Sequence, residues 1–288
     1  MQTSDPGWRR RVRAIVVSGQ MMSAALLGYG PVQAETPPGE VRVYAAGSLR
    51  GALTELAAAW ESGRPGVRVR LTFGASGLLK DRLLKGETAD LFASANMEHP
   101  QALADAGRGA SPLVFARNQL CALVAPGVAL TTESLVQRLL DPQIRVATST
   151  PKADPAGDYA WALFERIEQS GRPGAFAVLA AKALQLTGGP ASPPPPADRN
   201  VYGALMQAGL ADVFITYCTN VVVAQREVPA LRRVEVPVPI SVSASYGVST
   251  LSGASEGAAD FMRFLLGPGA QAVLARHGFA TPEPARHR

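Results

Sequence analysis

Read for hydrophobic and polar positions, the chain alternates between two periods. Period-two or fully apolar runs predict strands over residues 41–46 (VRVYAA), 67–73 (VRVRLTF), 89–95 (ADLFASA), 119–127 (QLCALVAPG), 144–150 (IRVATST) and 211–218 (ADVFITYC). Between them the spacing shifts to 3.6. Leu49, Leu53, Leu56, Ala57 and Trp60 fall on one helical face, and further helices are predicted over 78–86, 100–107, 131–141, 159–169, 200–209, 256–267 and 269–278. Residues 234–249 (VEVPVPISVSASYGVS) read as extended, but with prolines that suit an edge or a crossing segment. Strands alternating with helices predict an α/β protein with parallel sheets covered on both faces. The order is too irregular for an eightfold barrel and suits two doubly wound lobes. One low-complexity stretch, TGGPASPPPPAD at 187–198, reads as an extended surface loop.

Composition changes this picture in one place. The chain has 288 residues, 47% of them hydrophobic and 18% charged, enough for a sizeable core. Its net charge of +5 is uneven along the chain. Residues 1–34 carry Arg9, Arg10, Arg11 and Arg13 against Asp5, a net of +3, ahead of an apolar core and a Val32-Gln33-Ala34 cleavage pattern. That is an export signal with cleavage expected after Ala34, which leaves a mature net charge of +2. No remaining Lys/Arg block has the form of a nucleic-acid footprint. Beyond that segment no apolar run approaches the roughly 20 residues of a membrane span. Cys121 and Cys218 both sit in strand-like runs. In an exported protein they are either a disulfide or two buried thiols.

Enzyme signatures are scarce. His99, His277 and His287 lack metal-ligand spacing, and two cysteines make no zinc pattern, so neither a metal cation nor a cofactor is expected. GASG (74–77) resembles a nucleophile elbow but has Leu78 in place of the last glycine. Ser149 and Lys152 match S-x-x-K, a remote serine acyl-transferase reading whose companion motifs S-D-N and K-T-G are absent. What recurs instead is a strand end opening into small residues, a serine and a helix, at Ser48, Ser76 and Ser94. Helix starts offer unpaired N–H groups and partial positive charge, and small residues let an anion approach the backbone. In open α/β sheets ligands gather at such strand ends.

Seven segments, VYAAGSL, FGASGLL, GETADLFASA, VATSTPKADPAGDYA, NVYGAL, ADVFITY and FLLGPGAQAVLARHGF, occur in the order found in the molybdate-binding proteins of bacterial ABC importers. From about residue 40 to 281 the chain resembles that family. The resemblance implies a type II periplasmic binding-protein fold, two lobes joined by a hinge, in an exported monomer that delivers molybdate or tungstate to an importer permease in the periplasm. Lobe 1 is expected over 38–116 and 238–282, lobe 2 over 117–237, and a loose tail over 283–288. Ser48 and Ser76 would hold the oxyanion through hydroxyl and backbone N–H groups. Ala156 and Val201 would donate backbone N–H, and Tyr217 its phenol. The chain departs from the family at Gly47, where serine or alanine is common, and at Cys218. Molybdate, tungstate and sulfate need donors only. Phosphate, sulfate or a small organic anion in the same fold is the alternative; for phosphate, Asp158 follows the PAG motif and a carboxylate there suits a protonated ligand.

Overall fold

The computed structural model describes residues 39–196 and 199–282; the expected export signal at 1–34 and tail at 283–288 lie outside the described residues. In chain order the elements are β1 (Glu40–Ala46), α1 (Arg50–Glu61), β2 (Arg68–Gly74), α2 (Ser76–Leu84), β3 (Leu91–Ser94), α3 (Glu98–Asp105), β4 (Leu113–Val124), α4 (Leu135–Leu140), β5 (Val146–Ser149), α5 (Pro155–Gln169), α6 (Ala175–Lys182), β6 (Leu184–Thr187), α7 (Val201–Gln207), β7 (Val213–Tyr217), α8 (Cys218–Glu227), β8 (Arg232–Glu235), β9 (Ser243–Thr250), α9 (Glu256–Leu266) and α10 (Pro268–Arg276).

The strands are ordered β2-β1-β3-β9-β4-β7-β5-β6, with β8 also paired to β4. β4 is the joint. Its first part, through Gln119, pairs with β9. From Leu120 it pairs with β7, and from Cys121 with β8. One half of the molecule is therefore built on β2-β1-β3-β9-β4 and the other on β8-β4-β7-β5-β6. The chain returns from the second half through a 3-10 turn at Val238–Ile240, flanked by Pro237 and containing Pro239. Those prolines lack the N–H a sheet ladder needs, so they fall in the crossing segment the sequence suggested.

The sheets are mixed, which corrects the expectation of parallel pairing. β1, β2 and β3 run parallel, as do β5, β6 and β7. β9 runs antiparallel to β3 and β4, and β4 runs antiparallel to β7 and β8. β4 also begins six residues earlier than predicted, because Arg117 and Asn118 interrupt the apolar pattern of 113–119.

Helices form where one face can be buried. α1 buries Ala52, Leu53, Leu56, Ala57 and Trp60, and Trp60 meets Phe261 of α9 edge to face at 5.1 Å. α5 buries Ala160, Leu163, Phe164 and Ile167. Cys121 and Cys218 form a disulfide with a Cα–Cα separation of 4.8 Å, tying β4 to the start of α8. Closing a loop of 97 residues contributes roughly 4–5 kcal/mol in the chain-entropy account. Among the described residues no helix is long and apolar enough to cross a membrane.

Candidate functional site

The C-terminal ends of β1, β2, β3, β5 and β7 converge where the two halves meet. β1 ends in buried Ala45 and Ala46, and the chain turns at once through a 3-10 turn, Gly47–Leu49. The residue before this turn, Ala46, supplies no side-chain cap. Ser48 Oγ lies 2.9 Å from Tyr246 Oη on β9. Asn118 Nδ2 on β4 donates to Tyr246 Oη at 3.2 Å and to Thr219 Oγ1 on α8 at 2.8 Å. The Asn118 amide orientation is fixed by Gln119 N–H, which donates to its Oδ1 at 2.9 Å. Tyr246 thus accepts from Asn118 and shares a hydrogen bond with Ser48, in which either hydroxyl can donate. Burial holds the Tyr246 phenol far above its ordinary value, so it remains a donor at any physiological pH.

Ser76 opens α2. It is 1% exposed, and its Oγ accepts from Ala95 N–H at 3.1 Å, so its proton is available. Its preceding residue, Ala75, supplies no side-chain cap. Tyr217 closes the circle from the second half: fully buried, it donates to Ala95 O at 3.3 Å and packs 5.5 Å from Tyr246. Gly77 N–H donates to Ala153 O at 2.9 Å, a direct contact between the halves. A Cβ on Gly77 would stand 2.5 Å from Lys152 O and 2.6 Å from Ala153 O. Only glycine fits there.

The second half presents its helix starts differently. Ala156 N–H, expected as a ligand donor, is instead held by Asp154 Oδ1 at 3.0 Å. Asp154 is the N-cap of α5, with Pro155 in the first turn. An Asp-Pro pair at a helix start is a readable capping signal. In this structure a carboxylate takes the donor that the resemblance assigns to the ligand. Val201 opens α7, and its N–H has no acceptor among the described residues. The cap of α7 is Asn200, whose Oδ1 accepts from Gly203 N–H at 3.0 Å.

The other sequence candidates have local duties. Ser94 donates to Asn96 Oδ1 at 2.8 Å and accepts from Asn96 N–H, a turn ahead of α3. Asp158 Oδ1 accepts from Lys152 N–H at 2.6 Å and braces the turn in which Lys152 takes φ +66°. Ser149 is fully buried and shares a hydrogen bond with Tyr202 Oη at 3.2 Å, while Lys152 is exposed and no hydrogen bond joins the two. Cys121, Cys218 and Glu235 are the only cluster of metal-ligand type among the described residues, and both sulfurs are tied in the disulfide. A cavity of about 490 Å³ beside Trp60, Arg64 and Asp260 touches none of the five candidate residues. Sequence reading missed Tyr246, Asn118 and Thr219, none of which lies in a motif; only strand register brings them to Ser48.

Strand ends facing one another across a two-half α/β molecule, lined with hydroxyl and N–H donors, define a solute receptor. Residues 41–280 match the family of bacterial extracellular solute-binding proteins, and the chain belongs to that family. It is 27% identical over 278 residues to the molybdate-binding protein ModA of Mycobacterium tuberculosis, covering 94% of this chain and 96% of that one. The periplasmic molybdate-binding protein of Azotobacter vinelandii superposes with a TM-score of 0.67 at 19% identity, covering 84% of this chain and all of that one. The sulfate-binding protein SubI of Mycobacterium tuberculosis superposes with a TM-score of 0.68 at 21% identity, covering 85% of this chain and 88% of that one. The architecture is thus the type II periplasmic binding-protein fold, and the protein is a solute-binding protein of the bacterial extracellular family.

Proposed function

We propose that the solute is a tetrahedral oxyanion of the molybdate and tungstate type, captured in the periplasm by a monomer and handed to an importer permease without chemical change. One observation carries this reading. Ser76 accepts a hydrogen bond from Ala95 N–H and so keeps a proton to donate, and Ser48, whose hydroxyl is shared with Tyr246 Oη, stands on the neighbouring strand end. A bare dianion needs donors and is repelled by acceptors. The likeness to ModA over nearly the whole chain supports the same anion.

Hydrogen bonds to a charged acceptor contribute roughly 1.5–3 kcal/mol each. The two serine hydroxyls, nearby backbone N–H groups and Val201 N–H are of the number that micromolar-to-nanomolar binding requires, about 8–12 kcal/mol, once the costs of ordering and closure are met. Tyr217 joins this shell by turning its phenol from Ala95 O to the ligand. Calorimetric titration with molybdate, tungstate, sulfate and phosphate tests the reading. Binding of molybdate or tungstate ahead of the others supports it; binding of none of the four removes it.

A second reading rests on Asp154. A carboxylate beside the donors favours a ligand that carries its own O–H, such as hydrogenphosphate or a phosphorylated organic molecule. Phosphate outcompeting molybdate at neutral pH would select this reading.

A further inference from the structure

The strand that joins the two halves also joins two of the site's phenols, within the short stretch Asn118 to Cys121. At Asn118, β4 donates to Tyr246 Oη, the partner of Ser48. At Leu120 it pairs with Tyr217, and at Cys121 with Thr216. The disulfide runs from Cys121 to Cys218, the residue directly after Tyr217, so it clasps the end of this ladder. β7 closes at Tyr217, and α8 opens at Cys218 with no capping side chain ahead of it. Among the described residues, the disulfide and the hydrogen bond from Asn118 Nδ2 to Thr219 Oγ1 at 2.8 Å tie this exit back to β4. Both ties come from the stretch that also holds Tyr246.

We propose that the Cys121–Cys218 disulfide is a positioning element of the anion site: it fixes where the Tyr217 phenol stands relative to Tyr246 and Ser48, so that opening the bond weakens oxyanion binding in a chain that stays folded.

The inference rests on the oxyanion reading, in which Tyr217 turns its phenol from Ala95 O to the ligand. That phenol is buried, donates to Ala95 O at 3.3 Å, and its ring stands 5.5 Å from Tyr246 and 6.2 Å from Tyr159 of α5. It reaches a fixed point only if the backbone at 217 is fixed, since a displacement of about 1 Å takes a donor out of hydrogen-bond range. Stabilisation and positioning are separable. A cross-link stabilises mainly by restricting the unfolded chain, and that contribution depends on loop length, not on what stands beside the bond. Placement next to a ligand donor adds an effect on the folded state alone. The bond lies one side chain below the surface: Glu235 on β8 is exposed, and its Oε2 is 3.2 Å from Cys121 Sγ. Dithiothreitol opens such a bond by exchange. The S–S bond breaks, Cys121 and Cys218 become thiols, and the two sulfurs of the dithiol close into a cyclic disulfide.

The test is a calorimetric titration of tungstate into the protein before and after dithiothreitol treatment, with Y217F carried through the same pair. In the wild type, opening the bond should lower affinity about tenfold, the effect of misplacing one donor to a charged ligand. In Y217F, which lacks the phenol, it should change affinity by less than about twofold, because both changes act through one group. Linkage supplies a second readout. Tungstate saturating both forms should move the dithiol exchange equilibrium about tenfold toward the disulfide, equivalent to about 30 mV. Wild-type affinity unchanged by reduction, in a chain that circular dichroism shows to be folded, overturns the proposal and leaves the oxyanion reading standing. An equal loss in wild type and Y217F does the same. Oxidised, folded protein that binds none of molybdate, tungstate, sulfate and phosphate overturns both. Should the reduced chain unfold, the titrations move to C121V/C218A, which keeps the apolar cluster around Cys121 and Cys218 filled, in concentrated sucrose, which favours the folded state. Folding in neither form makes the bond a stabilising element alone and overturns the proposal.

Discussion

The two faces of the cleft use the same device, a strand that releases into a helix, and finish it in opposite ways. On the first half, Ala46 and Ala75 precede the turns at Ser48 and Ser76 and contribute no side-chain cap. On the second, Asp154 and Asn200 precede α5 and α7, and each reaches back to an N–H. The first face is left open to an anion. The second has its own acceptors in place. A helix start is an anion site only when the chain does not cap it from within.

The contact between the faces is the place to break this comparison most severely. Gly77→Ala puts a methyl group 2.5 Å from Lys152 O, so the halves cannot meet as they do. Oxyanion affinity should fall by about 100-fold or more, equivalent to about 2.7 kcal/mol, and the ligand-free melting temperature should fall as well. A variant that binds as tightly as wild type in calorimetry would show that the Gly77–Ala153 contact is not part of the bound state.

Ser76→Ala acts on the open face alone. It removes one donor from the ligand and leaves Ala95 N–H without its acceptor. Affinity should drop by roughly 10- to 100-fold, and stability by about 1–3 kcal/mol, read by titration and by urea unfolding. Loss of stability without loss of affinity would make Ser76 a structural residue only.

The capped face responds to pH. In the folded protein Asp154 sits near 6, above an ordinary aspartate near 3.8. Between those values the folded chain holds a proton that the unfolded chain has released. Its contribution to stability therefore falls as pH rises from about 4 to 6 and stays lost above that. The melting temperature of ligand-free D154N should gain on wild type across this window and run parallel to it on either side. Parallel curves throughout would contradict the burial of this carboxyl.

Gly47→Ser is the mildest change. A Cβ there meets nothing within 4 Å, and Gly47 is exposed. Stability should move by less than about 0.5 kcal/mol, and molybdate affinity by less than about threefold. The departure from the related family at Gly47 is then one the fold tolerates.

Much of the open face was legible in the sequence, because its features are local. Small residues, a serine and a helical period follow one another at Ser48 and Ser76, and both serines lie where that pattern put them. What orients their hydroxyls was not legible. Tyr246 lies 198 residues from Ser48, and only the pairing of β9 with β4 brings it and Asn118 together. α8 also escaped the pattern, since it opens on Cys218 directly after β7 with no capping residue ahead of it. On the capped face the hydrogen bond from Ala156 N–H to Asp154 was not legible either. The helix predicted over 159–169 starts at Pro155 instead, under an Asp154 cap that the apolar spacing alone does not reveal.

The central claim is that the anion sits on the uncapped helix starts, and diffraction at the tungsten edge from crystals grown with tungstate tests it most directly. The account predicts one tungstate between the halves, with oxygen atoms about 2.7–3.1 Å from both Ser48 Oγ and Ser76 Oγ. A tungstate in the cavity beside Trp60 and Arg64, or a cleft in which neither serine touches the ion, would contradict it.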